Sequence, residues 1–147
     1  MRKLKIYLDN CCFNRPYDDQ SFLSIYLETQ AKLAIQQLVR EGLLLLVWSF
    51  MLDYENSENP DQTIKDEIKT WKSLCAITVS KTDSIVEEAH RINKYGFSKK
   101  DSLHLAAAKN SCADYFITVD KGILKGAKLY GDPKIIDPIE FIAKMED

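Results

Sequence analysis

Four carboxylates stand where an alternating strand–helix chain would carry them to one edge. Asp9 ends the apolar segment KLKIYLD (residues 3–9), and Asp120 ends YFITVD (115–120). Glu55 lies about two turns into the helical stretch that follows LLLLVW (43–48), and Asp101 falls in the first turn after Ser98. Carboxylates held within a few ångströms repel one another, and a fold keeps them there mainly when a cation neutralises them. Hard oxygen donors select Mg²⁺ or Mn²⁺ over softer ions. Each acid also has an ordinary structural use. Asp9 and Asp120 suit turns, Asp101 suits the N-terminal turn capped by Ser98, and Glu55 belongs to an acidic segment that includes Asp53 and Glu58. The metal reading therefore rests on their convergence.

That convergence requires particular elements. Residues 3–9 read as a strand, and 21–41 as an amphipathic helix with Leu23, Leu27, Ala31, Ala34 and Leu38 on one face and Gly42 as its stop. LLLLVW is too short for a typical helix and reads as a strand covered on both faces. A short helix is expected from Ser49 to about Ser57, and another opening at Asn59-Pro60, with Pro60 in its first position and Trp71 near its end. Ala76–Val79 reads as a strand, and 83–95 as a helix built on Ile85, Ala89 and Ile92 and stopped by Gly96. Ser98 caps a helix to about Asn110, and Tyr115–Val119 reads as a strand. Ile135-Ile136 forms a last strand, before a helix opened by Asp137-Pro138-Ile139-Glu140. Buried strands alternating with helices predict one α/β domain over residues 1–147 with a mainly parallel sheet. Ligands of such sheets sit beyond the carboxyl ends of the strands, where these acids fall.

Other chemistry has less support. Cys11, Cys12, Cys75 and Cys112 form no C-x-x-C pair, and the only histidines are His90 and His104. A zinc site would need scattered ligands, so the cysteines read as small buried hydrophobes. Ser102 has no visible base. His104, one turn after Asp101, reads either as a packed histidine, the preferred reading, or as a partner of the acids. The longest apolar run, Leu43–Trp48, is far short of a membrane helix. Asp9 ends the N-terminal apolar stretch too early for a secretory signal. A cytoplasmic chain is expected. A net charge of −2 argues against a protein that grips nucleic acid with its whole surface, but it allows a local basic rim. Arg15, Lys99, Lys100 and Lys121, each near one of the acids, are the candidate phosphate-binding rim.

The segments around the acids resemble the PIN domain family, metal-dependent ribonucleases that include many prokaryotic toxins. IYLDNCCFN resembles the family's opening strand and first acid. LVWSFMLDYEN resembles its strand, serine and second acid, here Ser49 and Glu55. KKDSLHLAAAKNSCADYFITVDKGIL resembles the D-x-L-H-x-A-x-A helix and the T-x-D that ends the next strand, and IIDPIEFI resembles the closing strand and helix. The resemblance implies a three-layer α/β/α sandwich and Mg²⁺- or Mn²⁺-dependent endonucleolytic cleavage of RNA. Asp9 and Asp101 are then the most direct metal ligands. Asp120 ligates directly or through water, and Glu55 through water or as general base, with Thr118 and Asn10 in support. An antitoxin protein and a second copy of the chain are the partners it implies. The chain departs from the common D-T-N or D-T-S in having Cys11 two places after Asp9, and the run DNCCFNRPYDDQ resembles a particular subgroup instead of the common toxin type. If that position steadies a metal-bound water or the last acid, a thiol does so poorly, and Asn10 or Asn14 would substitute.

A haloacid-dehalogenase-like phosphatase needs a second acid where Cys11 stands, and a receiver domain needs an acid pair at the end of the first strand, so neither fits. The alternative within the same fold is a non-catalytic or RNA-processing protein that binds RNA or a protein partner. Four mutually repelling acids disfavour a mere scaffold.

Overall fold

β1 (Leu4–Leu8) is the centre of the molecule because its residues Ile6, Tyr7 and Leu8 have no solvent exposure and it is paired on both sides. The structure, a computed structural model, describes residues 2–146. Around β1 lie β2 (Leu44–Ser49), β3 (Ile77–Val79), β4 (Tyr115–Ile117) and β5 (Lys134–Ile136). They form one sheet of order β3-β2-β1-β4-β5, and every pairing is parallel. Tyr7 aligns with Val47 and with Phe116, and Leu8 with Ile117.

Parallel strands need crossovers, and their right-handed sense fixes which face each helix covers. α1 (Asn10–Asn14) and α2 (Leu23–Arg40) join β1 to β2, and α3 (Phe50–Ser57) and α4 (Gln62–Thr70) join β2 to β3. α5 (Asp83–Asn93) and α6 (Lys99–Asn110) return the chain across the sheet to β4. α7 (Lys121–Gly126) leads to β5, and α8 (Pro138–Glu146) closes the chain by packing on α2. The result is the expected three-layer α/β/α sandwich, all-parallel rather than mainly parallel. Since β1 leads to one side and β4 to the other, the topological switch point lies between them, and sheets of this kind bind ligands there, beyond the strand ends.

Several local readings change. α2 ends as foreseen: Gly42 takes a positive φ of 75° and the Leu43 N–H returns 2.9 Å to the Leu38 carbonyl. Its buried face, however, is Ala31, Lys32, Ile35, Gln36 and Val39, whereas Leu23, Leu27 and Ala34 are exposed. α4 is capped by Asp61, whose carboxylate accepts from the Thr63 and Ile64 N–H groups, so Pro60 precedes the helix instead of opening it. α1 and α7 were not expected, being too short for apolar periodicity to mark. No helix among the described residues is long and apolar enough to cross a membrane.

Candidate functional site

The strand ends at the switch point are held by side chains that cap the next helix. Asp9, 5% exposed, N-caps α1: one carboxylate oxygen accepts from the Asn10 N–H at 2.9 Å. Its other oxygen accepts from the Thr118 hydroxyl at 2.8 Å and from the Cys11 thiol at 3.4 Å. The Asp9 N–H itself donates to the Ile117 carbonyl, which ties the end of β1 to β4. Thr118 is fully buried, and besides holding Asp9 it accepts from the Asp120 N–H at 3.0 Å. Asp120 caps α7 with one oxygen, which accepts from the Gly122 and Ile123 N–H groups, and its other oxygen has no hydrogen-bond partner among the described residues. Cys11 thus fills the expected polar position by touching both Asp9 and Thr118. Asn10 contributes its backbone N–H, while Asn14 turns away to Asn59.

Glu55 and Asp53 both project from α3, but they are used differently. Asp53 accepts from the Trp48 indole and pairs with Lys72. Glu55 instead meets His104 Nε2. His104 is 1% exposed in the middle of α6, and its Nε2 lies 3.9 Å from Asp9 Oδ1. Ligand atoms of Asp9, Glu55 and His104 all lie within 4.8 Å of one another. Asp101, half-buried in the first turn of α6, stands outside this tight group but feels it. Burial first, and then the charges of Asp9 and Asp120, push its carboxyl above the usual range.

Behind Glu55 runs a buried hydrogen-bond relay that the sequence reading missed. The Tyr7 hydroxyl lies 2.5 Å from His104 Nδ1 and 2.6 Å from the Ser49 hydroxyl. Ser49 in turn caps α3 by accepting from the Met51 and Leu52 N–H groups. With neutral His104, one donor pattern satisfies the whole chain: Ser49 donates to Tyr7, Tyr7 to Nδ1, and Nε2–H to the Glu55 carboxylate. Burial opposes protonation of His104, but the Glu55 hydrogen bond and the charges of Asp9, Glu55 and Asp101 outweigh it and raise its pKa. Burial likewise raises Tyr7 far above the usual phenol range. Tyr7 was detectable as the one polar-tipped side chain in an otherwise aliphatic buried strand segment, and such a hydroxyl needs a partner. His104 was detectable from its spacing to Asp101, where the packed reading was preferred.

The candidate RNA-binding cations separate. Lys99 and Lys100 open α6 beside Asp101, and the Lys100 ammonium lies 5.6 Å from the Tyr54 ring centre. Lys121 follows Asp120 at the start of α7 and is exposed. Arg15 is engaged by Asp18 at 2.9 Å and Glu28 at 3.4 Å, so it is the least available.

Oxygen donors from two acids together with an imidazole nitrogen form a group able to hold a metal ion. For Nε2 to join the ligands, the proton must move to Nδ1 and be donated to Tyr7. Otherwise His104 orients Glu55.

No protein-family model matches the chain, and no curated protein matches it by sequence. Among solved structures it is similar to VapBC2 from Rickettsia felis, crystallised bound to a DNA fragment from their promoter. The match has a TM-score of 0.57 at 13% identity and covers 91% of this chain and 98% of that one. At that identity the likeness establishes the fold, and the chain has a PIN-like α/β/α fold.

Proposed function

We propose that the protein is a Mg²⁺- or Mn²⁺-dependent endoribonuclease that hydrolyses RNA phosphodiester bonds. The observation that carries this reading is a buried carboxylate, Asp9, within 4.8 Å of Glu55 and His104 donor atoms at the sheet's switch point. Asp101, in the first turn of α6, feels the charges of Asp9 and of Asp120, the cap of α7, which supports adding both acids to the site. Asp9, Asp101 and Asp120 would hold the ion, with Glu55 and His104 completing the site. When bound, the ion lowers the pKa of a coordinated water and offsets charge on the scissile phosphate.

The chain's own residues do the rest. Thr118 and the Asn10 N–H fix both oxygens of Asp9, so its orientation is set before any ligand arrives. His104 occupies Glu55 Oε1, and Oε2 has no hydrogen-bond partner among the described residues. Oε2 is therefore the atom that takes a proton from the attacking water. Lys100 and Lys121, adjacent in the chain to Asp101 and Asp120, steer the RNA backbone toward the acids, whereas Lys99 lines a separate cavity between α5 and α6. The two-part name of the VapBC2 neighbour and its promoter-bound crystal support assigning the chain the toxin role beside an antitoxin partner.

Calorimetric titration with Mn²⁺ tests the metal site. Wild type is expected to give a saturable binding isotherm that Asp9→Asn loses. An isotherm unchanged by that substitution overturns the assignment.

A further inference from the structure

The buried face of α2 carries two residues that the nuclease reading does not use. Lys32 is 4% exposed and Gln36 is 3% exposed, one turn apart. Lys32 has no hydrogen bond or ion pair among the described residues, and its nearest aromatic contact is the Phe13 ring, 5.7 Å from the ammonium. Gln36 Nε2 is buried without a partner. Such groups are costly in an apolar interior and are rarely left uncompensated. Both line a cavity of about 300 Å³ between α2, the α1 segment and α4. At its mouth the Arg40 guanidinium stacks 4.7 Å from the Trp71 ring centre, and its N–H groups are also unpaired among the described residues. The one carboxylate on the wall, Glu67, is engaged by the Tyr17 hydroxyl.

Lys32 and Arg40, both cationic, therefore offer only donors, and the Gln36 amide adds its N–H groups beside its own carbonyl, around a cavity walled by Phe13, Tyr17 and Trp71. Their combined N–H groups exceed what one carboxylate accepts and suit a phosphate, which arginine and lysine both bind. The aromatic walls and the flat guanidinium–indole stack suit a planar ring. The volume is at the lower end for small-molecule sites and too small for a folded partner. We propose that this cavity binds a nucleoside monophosphate, with its phosphate on Lys32 and Gln36 and its base against Trp71. Burial pushes Lys32 down to about 8, so it remains mostly charged at neutral pH. The cavity shares no residue with the Asp9, Glu55 and His104 group and stands whether or not the protein cleaves RNA.

Trp71, 8% exposed, lines the cavity and so reports on it, whereas Trp48 is fully buried in the core away from it. Titrating the full chain with 5′-UMP and 5′-AMP should change Trp71 fluorescence with a Kd below about 1 mM. Uridine and inorganic phosphate should each bind at least about ten-fold more weakly. Lys32→Met, which keeps the side-chain length and removes the buried charge, should fold normally and lose at least about ten-fold in affinity. Asp9→Asn should bind as wild type does. No saturable signal, equal binding by Lys32→Met, or loss of binding in Asp9→Asn would each overturn the proposal.

Discussion

Replacing Tyr7 with Phe removes one oxygen atom from the relay behind Glu55, and the structure allows the cost to be worked out. The ring stays stacked on Phe116, with centroids 5.1 Å apart and an angle of 12°, so packing is kept. Two buried partners lose their contact: His104 Nδ1, and the Ser49 hydroxyl as donor. Ser49 still caps α3, and Nδ1 is left facing a phenyl edge. A buried polar group left unsatisfied costs about 1–3 kcal/mol. Only Nδ1 is stranded outright, so the loss should be about 2 kcal/mol, near the middle of that range. For a chain of this length that lowers Tm by about 4–8 °C, from about 2–4 °C per kcal/mol. Urea unfolding of wild type, Tyr7→Phe, His104→Gln and the double variant measures both the cost and the coupling, since a shared hydrogen bond makes the two changes less than additive. A Tyr7→Phe variant within about 0.3 kcal/mol of wild type, or strict additivity with His104→Gln, would refute the relay.

Two further outcomes follow from buried or strained groups elsewhere. Lys32 has a folded-state pKa lowered from 10.5 to about 8 by burial, so between those values the unfolded chain binds more protons and stability rises with pH. Lys32→Met should accordingly be more stable than wild type at pH 7 by about 3 kcal/mol, and the gap should close as pH rises from 8 toward 10. A constant gap in pH-dependent urea melts would contradict the burial of that charge. Cys112 is an exposed residue at the end of α6 with φ of 59°, a left-handed conformation that costs a residue with a Cβ about 1–2 kcal/mol. Cys112→Gly should stabilise the protein by about 0.5–1 kcal/mol once the extra freedom of the unfolded chain is subtracted. A lower Tm for that variant would show that the conformation is not strained.

The sequence was legible where residue type and position coincide. Asp9 and Asp120 mark strand ends because the carboxylates cap the helices that follow, and the same caps bring them to the switch point. The parallel sheet could be read from LLLLVW and its counterparts, since strands buried on both faces lose polar alternation. α2 was misread for a physical reason: its inward face includes Lys32 and Gln36, so apolar periodicity selected Leu23, Leu27 and Ala34, which face solvent. Pro60 was read as a helix start, yet the capping carboxylate is on Asp61. The relay of Ser49, Tyr7 and His104 was illegible as a unit because its members are on three elements, joined by strand register and helix packing and not by spacing. The same holds for Cys11, whose contacts with Asp9 and Thr118 exist only once β1 and β4 are adjacent.

RNA cleavage in Mn²⁺ by the wild-type chain and by the Asp9→Asn, Asp101→Asn double variant tests the central claim most directly. The account predicts endonucleolytic cleavage by wild type that chelation abolishes, and none above background by a double variant that remains folded by circular dichroism. Cleavage that survives both substitutions, or a wild type inert toward RNA with Mn²⁺ bound, would contradict it.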